Sequence, residues 1–580
     1  VTYILEKNFD YVQMNIKEGI SGIIVPQWKI SSGSSEFIFA IDFGTSNTHI
    51  EYAIVGSKVS EPFDISYKDR QLYKLNEYLL ANTIFNNDYI PAEINQSSQY
   101  HFPIRTVLSE GKNTDWKKPV FAMANTNIPF TYEKEMLPDF DKWTTELKWG
   151  NTIDSQQKVY HYLETLFLLL RNKVLLNNGE LEKTKIVWFY PASMTEGRYN
   201  KYAKIWNELY KVYFGQNVFN VVPVSESLAP YSFYKNKKGA TTDVVSIDIG
   251  GGTTDVLIVR EGRADLLTSF RFAANSIFGD GYGLDADSNT FLQYYIKEIK
   301  EKFTANAFNE LIDVLGKLDT QKVSADIFSF FFSLASNKKI LESGLKIDFN
   351  ELLSQDDNCR YLFILFYAAI MYHIASIMKI KKLPMPRHIT FSGNGSKILQ
   401  ILTPSNETLE NFTKLIFEKV YGVDYDIDGV TIIRNFENPK EATCKGGILN
   451  PEPQPYSDID NLKQTLLGDG MGTFITGDIK YDAVGEKMQT DVLNEVIHFI
   501  DVFIQLNNEF SYVNKFSAEP SKWNLVKQCC EKDIKKYLKD GITQKKEELH
   551  QTGTEPKIEE TLFFYPLVGI LNQMAQELYK

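Results

Sequence analysis

The chain has 580 residues, of which 43% are hydrophobic and 23% charged. That excludes a largely disordered protein, because the apolar side chains can offset the entropy of ordering, and at about 150 residues per domain it is long enough for roughly four structural units. Lys and Arg number 62 against 74 Asp and Glu, a net charge of -12, which is the wrong sign for a protein that coats nucleic acid.

Cysteine is scarce. Cys359, Cys444, Cys529 and Cys530 have neither zinc-type spacing nor the density of a disulfide framework. The seven histidines are scattered, so no transition-metal site is expected. The cysteine usage points to a reducing, cytoplasmic compartment. No signal peptide opens the chain, and Val1 in place of an initiator Met suggests a piece of a longer protein.

In chain order, residues 22–28 (GIIVPQW) read as an edge strand. Residues 37–41 (FIFAI) form a continuous apolar run, expected to be a central buried strand, and end in Asp42-Phe43-Gly44. Residues 49–55 alternate and return as the second arm of a hairpin. A helix over 156–176 puts Val159, Leu163, Leu166, Phe167 and Leu170 on one face, with Asp154 or Ser155 as its cap. A strand at 185–190, a helix at 199–213 and a strand at 221–224 follow, with Glu226 just past the last.

The polar cluster 235–242 (KNKKGATT) reads as a turn and an internal boundary. Strands 244–247 and 256–259 then flank a second glycine-rich turn. Residues 286–345 read as mostly helical. The longest apolar run, 361–380, approaches bilayer length. It contains His373 and Ser376 and leads through Pro384 and Pro386 into strand 388–391 and the turn 392–397, which favours a buried core helix. Residues 451–455 (PEPQP) form a linker. Beyond it the chain is helical, with Val492, Val496, Phe499, Ile500 and Phe503 in one stripe, and 547–559 reads as a flexible charged connection.

The same local unit thus occurs twice: a buried strand, an Asp, a turn of Gly and hydroxyl residues, and a returning strand. Gly44, Thr45, Ser46, Asn47 and Thr48 in the first turn, and Gly250, Gly251, Gly252, Thr253 and Thr254 in the second, can aim backbone N–H groups inward. Two facing nests of amides suit a polyphosphate. Asp42 and Asp248 would lie beside it, and carboxylate next to phosphate calls for an intervening cation such as Mg²⁺ with retained waters.

Six segments in order over 37–449 resemble motifs of the actin, sugar kinase and seventy-kilodalton heat-shock chaperone ATPase superfamily, most closely the chaperone nucleotide-binding domain. FAIDFGTSNTHIEYAI and VVSIDIGGGTTDVLIV are similar to its two phosphate motifs, and ITFSGNGSKIL to its adenosine motif. KIVWFYPASM, VVPVSESLAPYSFY and NPKEATCKGGIL are similar to the segments that connect its two halves. The resemblance implies an α/β fold of duplicated ribonuclease-H-like domains around a nucleotide cleft, with a helical C-terminal extension. It implies an N-terminal extension (1–35), a first actin-like ATPase domain (36–240), a second (241–434), a return segment (435–455) and a mainly helical C-terminal region (456–580).

By that resemblance ATP/ADP and Mg²⁺ are the expected cofactors. Asp42 and Asp248 match the Mg²⁺-holding aspartates, and Glu226 the carboxylate that orients or deprotonates the attacking water. Thr45, Ser46 and Asn47 match the first phosphate loop, and Gly250, Gly251, Gly252, Thr253 and Thr254 the second. Gly393, Asn394, Gly395, Ser396 and Lys397 match the adenosine loop, and Gly279 and Asp280 partly match a further nucleotide segment. The chaperones' domain I lysine has no clear counterpart. Arg105 is a substitute, or else a surface partner of Glu110. No β-sandwich substrate domain is evident after Gly446, and the GxGxG run 468–472 reads as a loop.

A chaperone-like ATP-hydrolysing switch with Mg²⁺-dependent closure is the leading expectation, its protein client or partner reached through the C-terminal helices or upstream sequence. A filament-forming or scaffold ATPase is the alternative, and a small-molecule kinase comes third. Neither nucleic acid nor membrane is an expected partner.

Overall fold

The computed structural model describes residues 9–17, 20–25, 33–57, 59–69, 93–97, 100–111, 114–123, 125–129, 142–145, 147–150, 153–238, 243–282, 285–425, 429–434, 439–476, 479–551 and 557–580. The architecture is mixed α/β, and its two main sheets repeat one strand order.

In the first sheet, Phe37–Phe43 (β1), Asn47–Ile54 (β2) and Glu61–Pro62 (β3) form an antiparallel meander, and Lys185–Tyr190 (β4) and Val221–Ser225 (β5) extend it in parallel on the other side of β1, giving the order β5-β4-β1-β2-β3. The second sheet has Val244–Ile249 (β6), Thr254–Arg260 (β7) and Arg263–Phe270 (β8) as its meander, with His388–Ser392 (β9) and Thr431–Arg434 (β10) in parallel, giving β8-β7-β6-β9-β10. Polarity and order are the same in both. Phe37, Phe39 and Ile41 of β1 enter one core and Ala40 another, and Val245, Ile247 and Ile249 of β6 enter one core and Val244 another, so both faces of each strand are buried and each reads as an apolar run.

Helices fill the crossovers at equivalent places. Ile153–Leu176 (α1), Glu196–Tyr213 (α2) and Leu228–Lys238 (α3) follow β3, β4 and β5. In the second half, Arg360–Ile380 (α4) is the last of a run of helices between β8 and β9, Asn406–Tyr421 (α5) joins β9 to β10, and Glu441–Leu449 (α6) comes after β10. α6 packs on α3, β1 and β2, so the chain returns to the first sheet. One hydrophobic core centres on Phe39, Leu166, Trp188 and Trp206, and a larger one lies under the second sheet.

α4 is long and apolar enough to cross a membrane, yet its apolar window is wholly buried inside the protein. Burial pushes its His373 imidazole down to about 3, so the ring is neutral. Of the later helices, Glu486–Phe510 (α7) and Phe564–Leu578 (α9) pack into this second core, while Ile534–Gln551 (α8) reaches it through Tyr537 and buries Leu538 and Ile542 in a smaller cluster with Leu467, Val492 and Tyr565. The Val492, Val496, Phe499, Ile500 and Phe503 stripe is buried as expected. Phe564 stacks on Phe272 at 4.5 Å, lies 4.4 Å from the Phe270 ring, and packs edge-on to His373 at 5.0 Å.

Several local expectations are corrected. Asp154 and Ser155 lie inside α1, which starts at Ile153, and do not cap it. Residues 235–238 are the last turn of α3 rather than a polar turn, and 239–242 lie outside the described residues. α8 carries helix through the front of the supposed flexible segment 547–559, because its apolar face has a core to bury, and 552–556 lie outside the described residues. As expected, residues 22–24 lie in an edge strand, Ile20–Ile24 of a two-stranded ribbon with Val12–Lys17, and 26–28 lie outside the described residues.

Phe564 ties the C-terminal helix to the second sheet, so Phe564→Ala is expected to cost about 3–5 kcal/mol. Urea unfolding checks this, and a loss below about 1 kcal/mol contradicts the shared core.

Candidate functional site

β1 and β6 each end in an aspartate one residue before the strand stops, Asp42 and Asp248. Each turn that follows is closed by the same backbone bond: Gly44 N–H donates to Asn47 O at 3.1 Å, and Gly250 N–H to Thr253 O at 2.8 Å. The two turns then meet. A Cβ on Gly251 would collide with Ser46 Oγ, and one on Gly252 would sit 3.4 Å from the Thr45 side chain. Close approach, not a left-handed backbone, is therefore what these turn glycines provide. Gly393 differs, with φ +77°, and a Cβ there would meet Asp248 Oδ1 at 2.5 Å.

A cavity of about 30 Å³ lies where the turns meet, lined by Asp42, Thr45, Lys148, Glu226, Asp248, Lys440 and neighbouring residues. Four acids crowd this region. Glu226 follows β5, anchored by its N–H to Tyr190 O at 3.0 Å. Asp255, opposite Asp248 in the β6–β7 register, accepts from Ala192 N–H at 3.2 Å. Asp248 Oδ2 accepts from Ser392 Oγ at 2.9 Å and from Thr443 Oγ1 at 3.1 Å.

Two buried lysines answer these acids. Lys148 Nζ pairs with Glu226 Oε1, and Lys440 Nζ with Asp42 Oδ2 at 2.7 Å. Burial pushes Asp248 up to about 6, helped by Asp42 and Glu226. Burial, with Glu226 and then Asp248 beside it, pushes Asp255 up to about 8. Glu226 is also raised, by burial first, against the opposing pull of Lys148. Burial disfavours the charge of Lys440, yet Asp42, with Asp248 and Glu226, holds its pKa above the ordinary lysine value.

The crowded acids fit a divalent cation in charge. No group of three or more Asp, Glu, His or Cys among the described residues is arranged to hold a metal directly. That suits Mg²⁺, which keeps waters and takes one or two carboxylates together with phosphate oxygens. Asp248 would hold it, with Asp42 beside it.

The small cavity adjoins one of about 350 Å³, and Ser46, Asn47, Gly251 and Asn394 line both. Its walls include the Phe278, Phe328, Phe332, Ile398 and Ile401 side chains, with Asn350, Gly395 and Lys397 among its polar groups. A chamber walled by both apolar and polar side chains, beside a charged pocket, suits the chemistry of a nucleoside attached to phosphates.

The structure gathers most of the expected site residues. Asp42, Gly44, Thr45, Ser46, Asn47, Glu226, Asp248, Gly250, Gly251 and Thr253 line the small cavity, and Asn394, Gly395 and Lys397 the larger chamber. Thr254 is turned away: it is a strand residue whose hydroxyl donates to Phe272 O at 2.7 Å. Gly252, Gly393 and Ser396 support the loops without lining either cavity, Ser396 Oγ donating to Gly393 O at 2.7 Å. Asp280 accepts from Ser324 N–H at 3.1 Å, and neither it nor Gly279 lines the cavities.

Arg105 pairs neither with the surface nor with Glu110. It sits on Ile104–Arg105 opposite Asn47, lines the larger chamber and forms a buried ion pair with Asp326 from the other half. Glu110 instead bonds Lys158 at 2.6 Å. Lys148, which no sequence pattern singles out, is a buried lysine of the first half that lines the small cavity beside Glu226. It lies in the turn Leu147–Trp149, whose next residue, Trp149, donates Nε1–H to Thr45 Oγ1 at 2.9 Å. The guanidinium groups of Arg198 and Arg271 lie 5.3 and 5.0 Å from the Trp149 ring. Arg271 also pairs with Glu548 at 2.8 Å, and its N–H donates to Glu560 at 2.7 Å, so the C-terminal region reaches the first turn through one tryptophan.

A raised acid keeps its proton in the folded state and loses it on unfolding. For Asp255, stability is therefore fully present below the ordinary carboxylate pKa and is lost as pH rises through about 8. Asp255→Asn is expected to flatten this slope, gaining melting temperature over wild type above about pH 8. Parallel wild-type and variant slopes between about pH 5 and pH 9 contradict the assignment.

No family model matches the chain, and no curated protein does. Among solved structures, the chain is similar to a MamK double helical filament (14% identity, 72% of this chain and 100% of that one, TM-score 0.36). It is also similar to MreB5 of Spiroplasma citri bound to ADP (11% identity, 71% and 95%, TM-score 0.32). A third is the ethanolamine utilization protein EutJ from Carboxydothermus hydrogenoformans (9% identity, 72% and 92%, TM-score 0.30). All three TM-scores are low.

Proposed function

We propose that this chain is an ATP-hydrolysing protein of the actin-like type, with two ribonuclease-H-like halves gripping one nucleotide. The single observation that carries the reading is the contact of two equivalent strand-end turns at Ser46 and Gly251, with Asp42 and Asp248 behind them. The repeated strand order of the two sheets supports the fold assignment.

In this reading the amides of both turns bind the triphosphate and the larger chamber takes the nucleoside. Mg²⁺, when bound, neutralises phosphate charge at Asp248. Lys148 faces the terminal phosphate as a point charge. Glu226 orients the attacking water and accepts its proton, since one oxygen is engaged by Lys148 and its carboxyl is biased upward toward the pKa of a working base. Trp149 fixes the rotamer of Thr45 in the first turn.

The chaperone-type client switch draws no specific support, because α7 and α9 pack into the second core. Nucleotide-dependent self-association is favoured over it by the ribbon Val12–Lys17 with Ile20–Ile24. Among the described residues the ribbon joins no other sheet, and it exposes Ile20, Ile23 and Ile24, with Val25 exposed just after it. Cytoplasmic location belongs to the same proposal.

Glu226→Gln is expected to slow phosphate release from ATP by about a hundredfold or more while the ATP dissociation constant stays within about threefold. Equal losses in turnover and binding contradict a role in hydrolysis. Asp248→Asn is expected to lower Mg-ATP turnover more than about tenfold with the fold intact, and wild-type turnover sinks the metal assignment. Sedimentation with and without ATP tests assembly: a concentration-dependent pellet that responds to nucleotide supports it, and a monomer under all conditions removes it.

A further inference from the structure

Asp42 is the first residue the sequence offers to a divalent ion, but a cation from the chain already sits against it. Lys440 Nζ is 2.7 Å from Asp42 Oδ2, in a pair whose side chains are 13% and 6% exposed. Lys440 stands immediately before α6. A helix N-terminus favours anions, so its own helix gives the ammonium no support. What holds it is the cavity, whose lining brings it together with Asp42, Asp248 and Glu226.

The seat is built for it. A Cβ on Gly44 would come within 2.6 Å of Lys440 Nζ, so any larger residue at the first turn would press on the ammonium. One turn along α6, Thr443 donates to Asp248 Oδ2 at 3.1 Å. The start of α6 thus addresses both strand-end aspartates, with a charge at one and a hydroxyl at the other. Pro439, just before Lys440, accepts from Gly393 N–H at 3.2 Å and ties the same segment to the loop after β9.

We propose that Lys440 is a tethered cation holding the divalent-ion position beside Asp42, so that a free divalent ion competes with it for the cleft. The inference rests on the nucleotide reading above and concerns only how charge is supplied there. An ammonium carries one positive charge and three donors. It neutralises Asp42 without waters, and it can face phosphate oxygens directly. Two consequences follow. The nucleotide-free cleft takes up divalent ions weakly, because ion and ammonium repel within one small cavity. Nucleotide affinity depends only weakly on divalent ions, because part of the neutralising charge never leaves.

The test is Mn²⁺ binding to the full chain without nucleotide, read from the free-ion paramagnetic resonance signal. Lys440→Gln keeps a donor for Asp42 but removes the charge, and is expected to bind Mn²⁺ at least about tenfold more tightly than wild type. Lys440→Arg keeps the charge and is expected to stay weak. Adding Asp248→Asn to Lys440→Gln is expected to abolish the gain. Equal Mn²⁺ affinity in wild type and Lys440→Gln overturns the proposal. Fluorescent ADP binding, run in parallel, separates the two readings: a Mn²⁺ gain with no ADP bound to wild type sinks the nucleotide reading alone, and ADP binding with no Mn²⁺ gain sinks this one alone. Should Lys440→Gln not fold, wild type decides. ADP affinity within about threefold between EDTA and excess Mg²⁺ supports Lys440 as the resident cation, and a loss beyond about a hundredfold in EDTA overturns it.

Discussion

Two turns from separate sheets touch at Ser46 and Gly251, and behind that contact four carboxylates share a buried region with two ammonium groups. Burying like charges together is costly unless counter-charge is supplied or protons are taken up. Here both remedies operate. Lys148 and Lys440 pair with Glu226 and Asp42, while Asp248 and Asp255 are pushed toward the protonated form. Such an imbalance is poor for stability. It is what a site needs if a cation and phosphates are to change how its halves fit together.

The rest of the molecule positions this balance. The meander and parallel crossovers of each sheet deliver one aspartate to the end of a central strand, where side chains leave the core and meet a crevice. β5 brings Glu226, and α6 returns from the second half to bring Lys440 and Thr443. The C-terminal helices enter through Arg271, which holds Glu548 and Glu560 on one side and lies over Trp149 on the other. Trp149 in turn bonds Thr45. A change in the fit of the two halves therefore strains contacts that reach α8. This is a physical link between the cleft and the C-terminal region, with Arg105 and Asp326 as a second bridge between the halves.

What was legible in the sequence was what depends on short-range pattern. β1 and β6 read correctly because both faces are buried, and Asp42 and Asp248 follow from their place at the strand ends. Glu226 follows from the end of β5 in the same way. Lys148 was not legible: it meets Glu226 across 78 positions, from a single turn with no periodicity to mark it. Lys440 lies inside NPKEATCKGGIL, but a lysine in sequence reads as solvated, and only the fold brings three carboxylates around it. Thr254 failed for a simpler reason. Thr253 closes the turn and lines the small cavity, whereas Thr254 is already the first residue of β7 and bonds Phe272 inside the second core. The helix through 551 was missed because α8 is polar along much of its length and owes its order to the core it covers.

The most direct test of the central claim is amide hydrogen exchange with and without a non-hydrolysable ATP analogue and Mg²⁺. If one triphosphate bridges the two turns, residues 43–48 and 249–255 gain protection together and at the same analogue concentration. Protection of one turn alone, or of neither while the analogue is bound, contradicts a shared phosphate site.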